Sequence, residues 1–154
     1  MDRIVTVFRM VSRLSRLGGL AERVNVSAAV AGATADEAET VERAVVEAVA
    51  NAIKHGYDGQ SNMPMKIVVA CTPAGLMIDV FDSGPPIPPA VIASMRGCRN
   101  WDPSDPAPEV GAGLPTIGAC MDGVAYNRRL GVNRLRMTKN LGCAAPEAQK
   151  RGAA

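Results

Sequence analysis

From Asp36 to about His55 the chain repeats apolar residues at helical spacing: Val41, Ala44, Val45, Ala48, Val49, Ala52 and Ile53. That period places them on one face of an α-helix, and a helix with one apolar face must bury it against another layer. Thr34 or Asp36 can cap its start, the acidic Glu37, Glu39 and Glu42 suit its positive end, and Gly56 follows its last turn. Only 3% of the residues are aromatic, so the core that receives this face must come from Ala, Val, Ile, Leu and the eight Met. A chain of 154 residues is enough for one such core and one domain.

The flanking segments alternate between strand and loop signals. R-I-V-T-V-F-R-M at residues 3–10 suits an edge strand, and residues 11–33 read as a helix interrupted by Gly18-Gly19. K-I-V-V-A-C (66–71) and L-M-I-D-V-F (76–81), separated by Thr-Pro-Ala-Gly, predict a hairpin. Between Pro85 and Pro108 prolines are dense, which predicts a long loop around a short helix near Ala90 to Met95. Residues 114–121 suit a helix, and residues 123–129 with 133–139 predict a second hairpin around Leu130-Gly131. This order implies an α+β fold, a two-layer sandwich with helices on one face of a mixed, mostly antiparallel sheet. The domain is expected over residues 1–140, with a disordered C-terminal tail over 141–154, where small residues and Pro146 replace any apolar period.

Charge and cysteine spacing exclude several functions. Seventeen Lys and Arg against 15 Asp and Glu give a formal charge of +2, too balanced for direct nucleic-acid binding through a concentrated basic face. No stretch approaches the roughly 18 apolar residues needed to span a bilayer. Arg3, Arg9, Arg13 and Arg16 interrupt any secretory apolar region, so the expected location is the cytoplasm, without membrane association. Cys71, Cys98, Cys120 and Cys143 are too far apart for a zinc pair or a redox dithiol, and read as small buried apolar residues.

Three motifs carry chemistry. In E-A-V-A-N-A-I-K-H-G-Y, Glu47 and Asn51 stand four apart, on one side of the helix beside its apolar stripe. An amide there needs a partner, and a divalent cation with bound phosphate would supply one. In D-S-G-P-P-I-P, Asp82 ends an apolar strand, where its carboxylate can accept from the exocyclic amine of a base. Gly84 would admit a flat ligand, and Ile87 would wall it. In G-A-G-L-P-T-I-G, Gly111 and Gly113 open a helix whose backbone N–H groups would attract phosphate. Each motif alone also fits a solvated carboxylate or a turn; their joint occurrence in this order favours a nucleotide site. His55 is expected to pack at the helix end, Trp101 to be a surface residue, and Arg128, Arg129, Arg134, Arg136 and Lys139 to form a solvated hairpin edge.

Together with M-D-G-V-A-Y-N-R-R and the closing N-R-L-R-M-T-K, these motifs resemble the GHKL ATPase superfamily, and within it the small bacterial anti-sigma-factor serine kinases. The resemblance runs from about Ile4 to Lys139 and implies a layered ATP-binding (Bergerat) fold and a homodimer. It also implies ATP and Mg²⁺ as ligands. Asn51 would coordinate Mg²⁺ and the phosphates, Asp82 would bind the adenine amino group, and Gly84 and Ile87 would shape the adenine pocket. Gly111, Gly113 and Leu114 would close over the phosphates at the end of a lid spanning residues 97–110. Glu47 matches the family's general base, which would take the hydroxyl proton of a serine on a STAS-domain anti-anti-sigma protein; that protein competes with a sigma factor for the kinase. Two positions depart from the family. Glu109 stands where its kinases often carry arginine, with Arg96 or Arg99 as substitutes, and Asn133 stands near the place of a threonine close to the base. The implied activity is therefore a serine kinase and anti-sigma factor. The alternatives are an ATP-gated binding module without phosphotransfer and a detached histidine-kinase catalytic domain.

Overall fold

A computed structural model describes residues 4–97 and 113–142. The expectations for Cys98, Arg99, Trp101, Glu109, Gly111 and Cys143, and for most of the lid and tail, fall outside the described residues. The chain begins with β1 (Val5–Val11), whose last residue is Val11. A short 3₁₀ turn follows, and α1 runs Leu17–Val30. The helix expected from residue 11 thus starts later, because Val11 completes the pairing of β1 with the next strand. Helix α2 spans Ala35–Asn51 and continues as a π turn over Ala52–Gly56, where the sequence predicted one uniform helix to His55. Then come β2 (Pro64–Thr72), β3 (Gly75–Asp82), α3 (Pro89–Gly97), α4 (Gly113–Cys120), β4 (Gly123–Arg129) and β5 (Val132–Asn140).

The five strands form one sheet in the order β1-β2-β3-β5-β4. Every pairing is antiparallel, the limiting case of the mostly antiparallel sheet the sequence implied, because the connections β2–β3 and β4–β5 are hairpins. Strand β1 lies at an edge, as its partly alternating pattern predicts. Register aligns Phe8 with Ile67, Ile67 with Val80, and Val80 with Leu135. These four are buried, so one face of the sheet carries the core. Val41, Ala44, Val45, Ala48 and Val49 of α2, all buried, meet that face, with Val24 and Ala28 of α1 beside them. Burial of this stripe is what makes α2 the central helix.

The next row of the same face is polar. Met10 aligns with Met65, Met65 with Asp82, Asp82 with Asn133, and Asn133 with Arg128. Thus the core side of the sheet ends at a carboxylate and an amide on neighbouring strands. At the far terminus, Leu141 packs on the core and Gly142 N–H donates to Glu37 at 2.8 Å. The first two residues of the expected tail are therefore held in place.

Candidate functional site

Glu47 and Asn51 occupy successive turns at the end of α2. Asn51 Nδ2 donates to the Glu47 carbonyl at 3.0 Å, the back-bond common to short polar side chains in helices. Its Oδ1 takes no hydrogen bond from a described residue, which leaves a hard oxygen at the helix end. Immediately afterwards the backbone widens into the π turn, closed by Tyr57 N–H on the Ala52 carbonyl at 2.8 Å. Such turns mark functional sites because they change the direction of successive side chains. Tyr57 is swung inward and buried; its hydroxyl donates to the Pro64 carbonyl at 2.8 Å and accepts from Ser83 N–H at 2.6 Å. One side chain thereby ties the end of α2 to both β2 and the turn after β3.

Asp82 is the last residue of β3 and is buried. Its Oδ1 accepts from Gly84 N–H and from Asn133 Nδ2, both at 2.9 Å, while Oδ2 accepts from no described residue. Asn133 Nδ2 also points at the carbonyls of Gly84 and Pro85, both at 3.0 Å. The other end of this amide accepts from the Tyr126 hydroxyl at 2.6 Å and from Arg128 at 2.8 Å. Arg128 donates as well to the Gly84 carbonyl at 2.7 Å, and Ile87 N–H donates to the Tyr126 hydroxyl at 3.0 Å. Asn133, with 1% of its surface exposed, is the hub of a buried hydrogen-bond network that leaves Asp82 Oδ2 open.

These groups border a cavity of about 380 Å³, within the size range of small-molecule sites. Asn51, Ala52 and His55 enter it from α2 and its π turn, and Asp82 and Asn133 from the sheet. The segment from Pro85 to Pro88, Val91 of α3 and Leu114 of α4 make the rest apolar. An apolar slot with one free carboxylate oxygen at its end suits a flat ring carrying an amino donor.

The structure therefore brings Asn51, Asp82, Ile87, Leu114 and Asn133 together. Glu47 stands one turn away, beside a shallow groove with Leu17, Gly18 and Ala21 of α1. Gly113 is the first residue of α4. A Cβ at Gly84 would meet the Gly56 carbonyl oxygen at 2.9 Å, so glycine at this position lets the turn after β3 pass against the π turn. His55 is exposed at the cavity instead of packed at the helix end. The basic residues of β4 and β5 are not a merely solvated edge. Arg128 braces the Asp82 turn, Arg136 forms a bidentate pair with Asp79 at 2.7 and 2.8 Å, and Lys139 donates to the Cys120 carbonyl. The Asp79 pairing raises the Arg136 pKa. Cys120 is buried and Cys71 half-buried; burial pushes the Cys120 thiol up, against the opposing pull of Arg43 and Lys139. The sequence assigns no role of their own to Tyr57 and Tyr126, and sets Arg128 only on a solvated edge. An inward-facing tyrosine that must satisfy its hydroxyl was the available signal for the first two.

Among the described residues no group of three or more His, Cys, Asp or Glu could hold a metal. Asn51 Oδ1 nevertheless fits one position in the shell of Mg²⁺, which takes oxygen ligands and completes its octahedron with water and ligand phosphates. No described helix is long and apolar enough to cross a membrane.

No curated protein matches the chain. A family model for the histidine kinase-like ATPase domain matches residues 10–139, which runs from the end of β1 to the next-to-last residue of β5. With a helix-borne asparagine, a strand-end aspartate and an apolar slot between them, the chain belongs to the histidine kinase-like ATPase domain family.

Proposed function

We propose that this chain is an ATP-dependent serine protein kinase that phosphorylates a STAS-domain anti-anti-sigma protein and, in its other state, sequesters a sigma factor. The observation that carries the nucleotide part is the convergence of Asp82, Asn51 and the apolar slot on one cavity. Asp82 Oδ2 accepts the adenine 6-amino group, while Ile87 and the neighbouring prolines pack against the ring. Asn51 would hold Mg²⁺ through Oδ1, and the ion would supply neutralisation of charge on the phosphates. Leu114 lines the cavity at the start of α4, and the family resemblance assigns it, with Gly111 and Gly113, to the phosphate chain.

Glu47, one turn before Asn51, is the general base. It takes the proton of the partner's serine hydroxyl as that oxygen bonds to the γ-phosphorus; the bond from phosphorus to the bridging oxygen breaks, and ADP leaves with the electron pair. The family resemblance supplies the partner classes, the homodimer and a cytoplasmic location. Incubation of the STAS protein with this chain and Mg-ATP, read by intact-mass spectrometry, tests the assignment. Wild type should add a phosphoryl group to a partner serine, and Glu47→Ala should lower the rate by about a hundredfold or more while still binding ATP. A partner captured in a nucleotide-dependent way but never phosphorylated by wild type would instead make this an ATP-gated binding module, the reading that Glu109 in place of an arginine favours. Sedimentation of the isolated chain should give twice the monomer mass of 16.1 kDa.

A further inference from the structure

We propose that the free edge of β1, with the arginines of α1 beside it, docks an extended segment of a partner protein in which carboxylates alternate with apolar residues. The proposal stands on residues outside the nucleotide cavity and does not depend on the reading of that cavity. Strand β1 ends the sheet, with β2 on one side only. Cys71 N–H donates to the Ile4 carbonyl at 2.8 Å and Ser12 N–H to the Met63 carbonyl at 2.9 Å, which fixes the phase of the ladder. Hydrogen-bonded positions alternate in an antiparallel pair, so Thr6, Phe8 and Met10 turn their backbone groups to β2. Val5, Val7 and Arg9 turn theirs outward, where no described strand receives them. Such an edge is a template for one more strand, and neither a proline nor a break in register blunts this one.

The two faces of β1 define what the added strand must carry. Val5 and Val7 stand on the face opposite buried Phe8 and leave 49% and 47% of their surface exposed, so apolar side chains would cover them. On the other face a cavity of about 490 Å³ lies between β1 and α1. Buried Phe8 and Leu20 floor it, while Arg16 and Arg23, two helical turns apart on α1, line it together with Arg9. No acidic side chain lines this cavity, and the three exposed guanidinium groups have no ion-pair partner among the described residues. Guanidinium forks pair with carboxylates, so the side chains that turn to α1 are best met as Asp or Glu. The same charge disfavours a second copy of this chain. A two-fold pairing of β1 with itself would bring these arginines from both copies to one seam without a carboxylate between them. The chain's own tail over 143–154 is no better suited, with Glu147 alone against Lys150 and Arg151.

The test is titration of the isotope-labelled full chain with a capped peptide of alternating valine and glutamate, seven residues long like β1, followed by nuclear magnetic resonance. The amide signals of Val5, Val7 and Arg9 should shift and gain protection against hydrogen exchange, while those of Thr6 and Phe8, already bonded to β2, change little. Replacing the peptide's glutamates by lysines should weaken binding by about tenfold or more, and so should Arg16→Glu combined with Arg23→Glu. Val7→Pro removes an outward N–H and no bond to β2, and should weaken binding by a similar factor. The arginine variants decide the matter if Val7→Pro fails to fold by circular dichroism. Equal binding of the lysine and glutamate peptides, shifts confined to residues away from β1 and α1, or no binding of the glutamate peptide at millimolar concentration would each overturn the proposal. So would a dimer of this chain that Val7→Pro converts to monomer, because a second copy would then occupy the edge. Mg-ATP binding, measured alongside, should be the same in all these variants; its absence from wild type would sink the nucleotide reading and leave the edge proposal to the peptide result.

Discussion

At the scale of single residues, the site is decided by which polar atoms the protein leaves unused. Asp82 and Asn51 each spend one end of the side chain on the protein and offer one oxygen to a ligand. Asp82→Asn sharpens this point. The two donors that hold Oδ1 would keep the new amide oxygen on their side, so its NH₂ would face the cavity and meet the adenine amino group donor to donor. ATP affinity measured by calorimetry should fall by about a hundredfold, with a far smaller change in melting temperature. The chemistry of Asp82 and Asn51 is legible in the sequence because an unpaired carboxylate after a strand, or an amide beside a core stripe, needs a partner. Asn133 is different. Its sequence position suggests a contact to the base, yet its burial and five contacts show that the amide is consumed by the protein.

Among the elements, α2 is the one whose start was best encoded. Thr34 caps it in a reciprocal box with Glu37, as the Thr-x-x-Glu spacing implies. Glu37 also accepts Gly142 N–H, which fastens the end of the described chain to the start of the helix. The hydrogen bond from Gly142, followed by that from Thr34, holds the Glu37 carboxyl below its ordinary range. A depressed value means that the charged form belongs to the folded state. Its stabilisation is therefore complete above about pH 4.3 and disappears as pH falls through the lowered folded value. Glu37→Gln should melt below wild type at neutral pH, and the two melting curves should converge in acid. Thr34→Ala should cost about 1 kcal/mol in denaturant unfolding. The other end of α2 was not legible. The apolar stripe continues through Ala52 and Ile53 without a break, and only packing of Gly56 against Gly84 and of Tyr57 beneath Ser83 turns the last stretch into a π turn.

Across the whole molecule, the cavity forms where separately encoded pieces meet: the end of α2, the end of β3 with the turn after it, α3, α4 and the strand β5. A ligand held there binds only the folded chain, so ATP at a hundred times its dissociation constant should add about 2.7 kcal/mol to stability and raise the melting temperature by several degrees. Protection against hydrogen exchange should rise at the end of α2, the Asp82 turn and β5, and stay unchanged in β1, whose Val5 and Val7 are about half exposed at the far edge. The sequence by itself determined the elements and their order, because periodicity, caps and turn residues are local properties. It also carried the all-round aliphatic core, since so few aromatics were available. Strand order and register were decided only in three dimensions: they make Asp82, Asn133 and Arg128 neighbours although more than forty positions separate the first from the others. That adjacency costs loop closure, which no local segment encodes and which only the burial of the common core can offset. Which oxygen of Asp82 stays unpaired among the described residues follows from that long-range pairing.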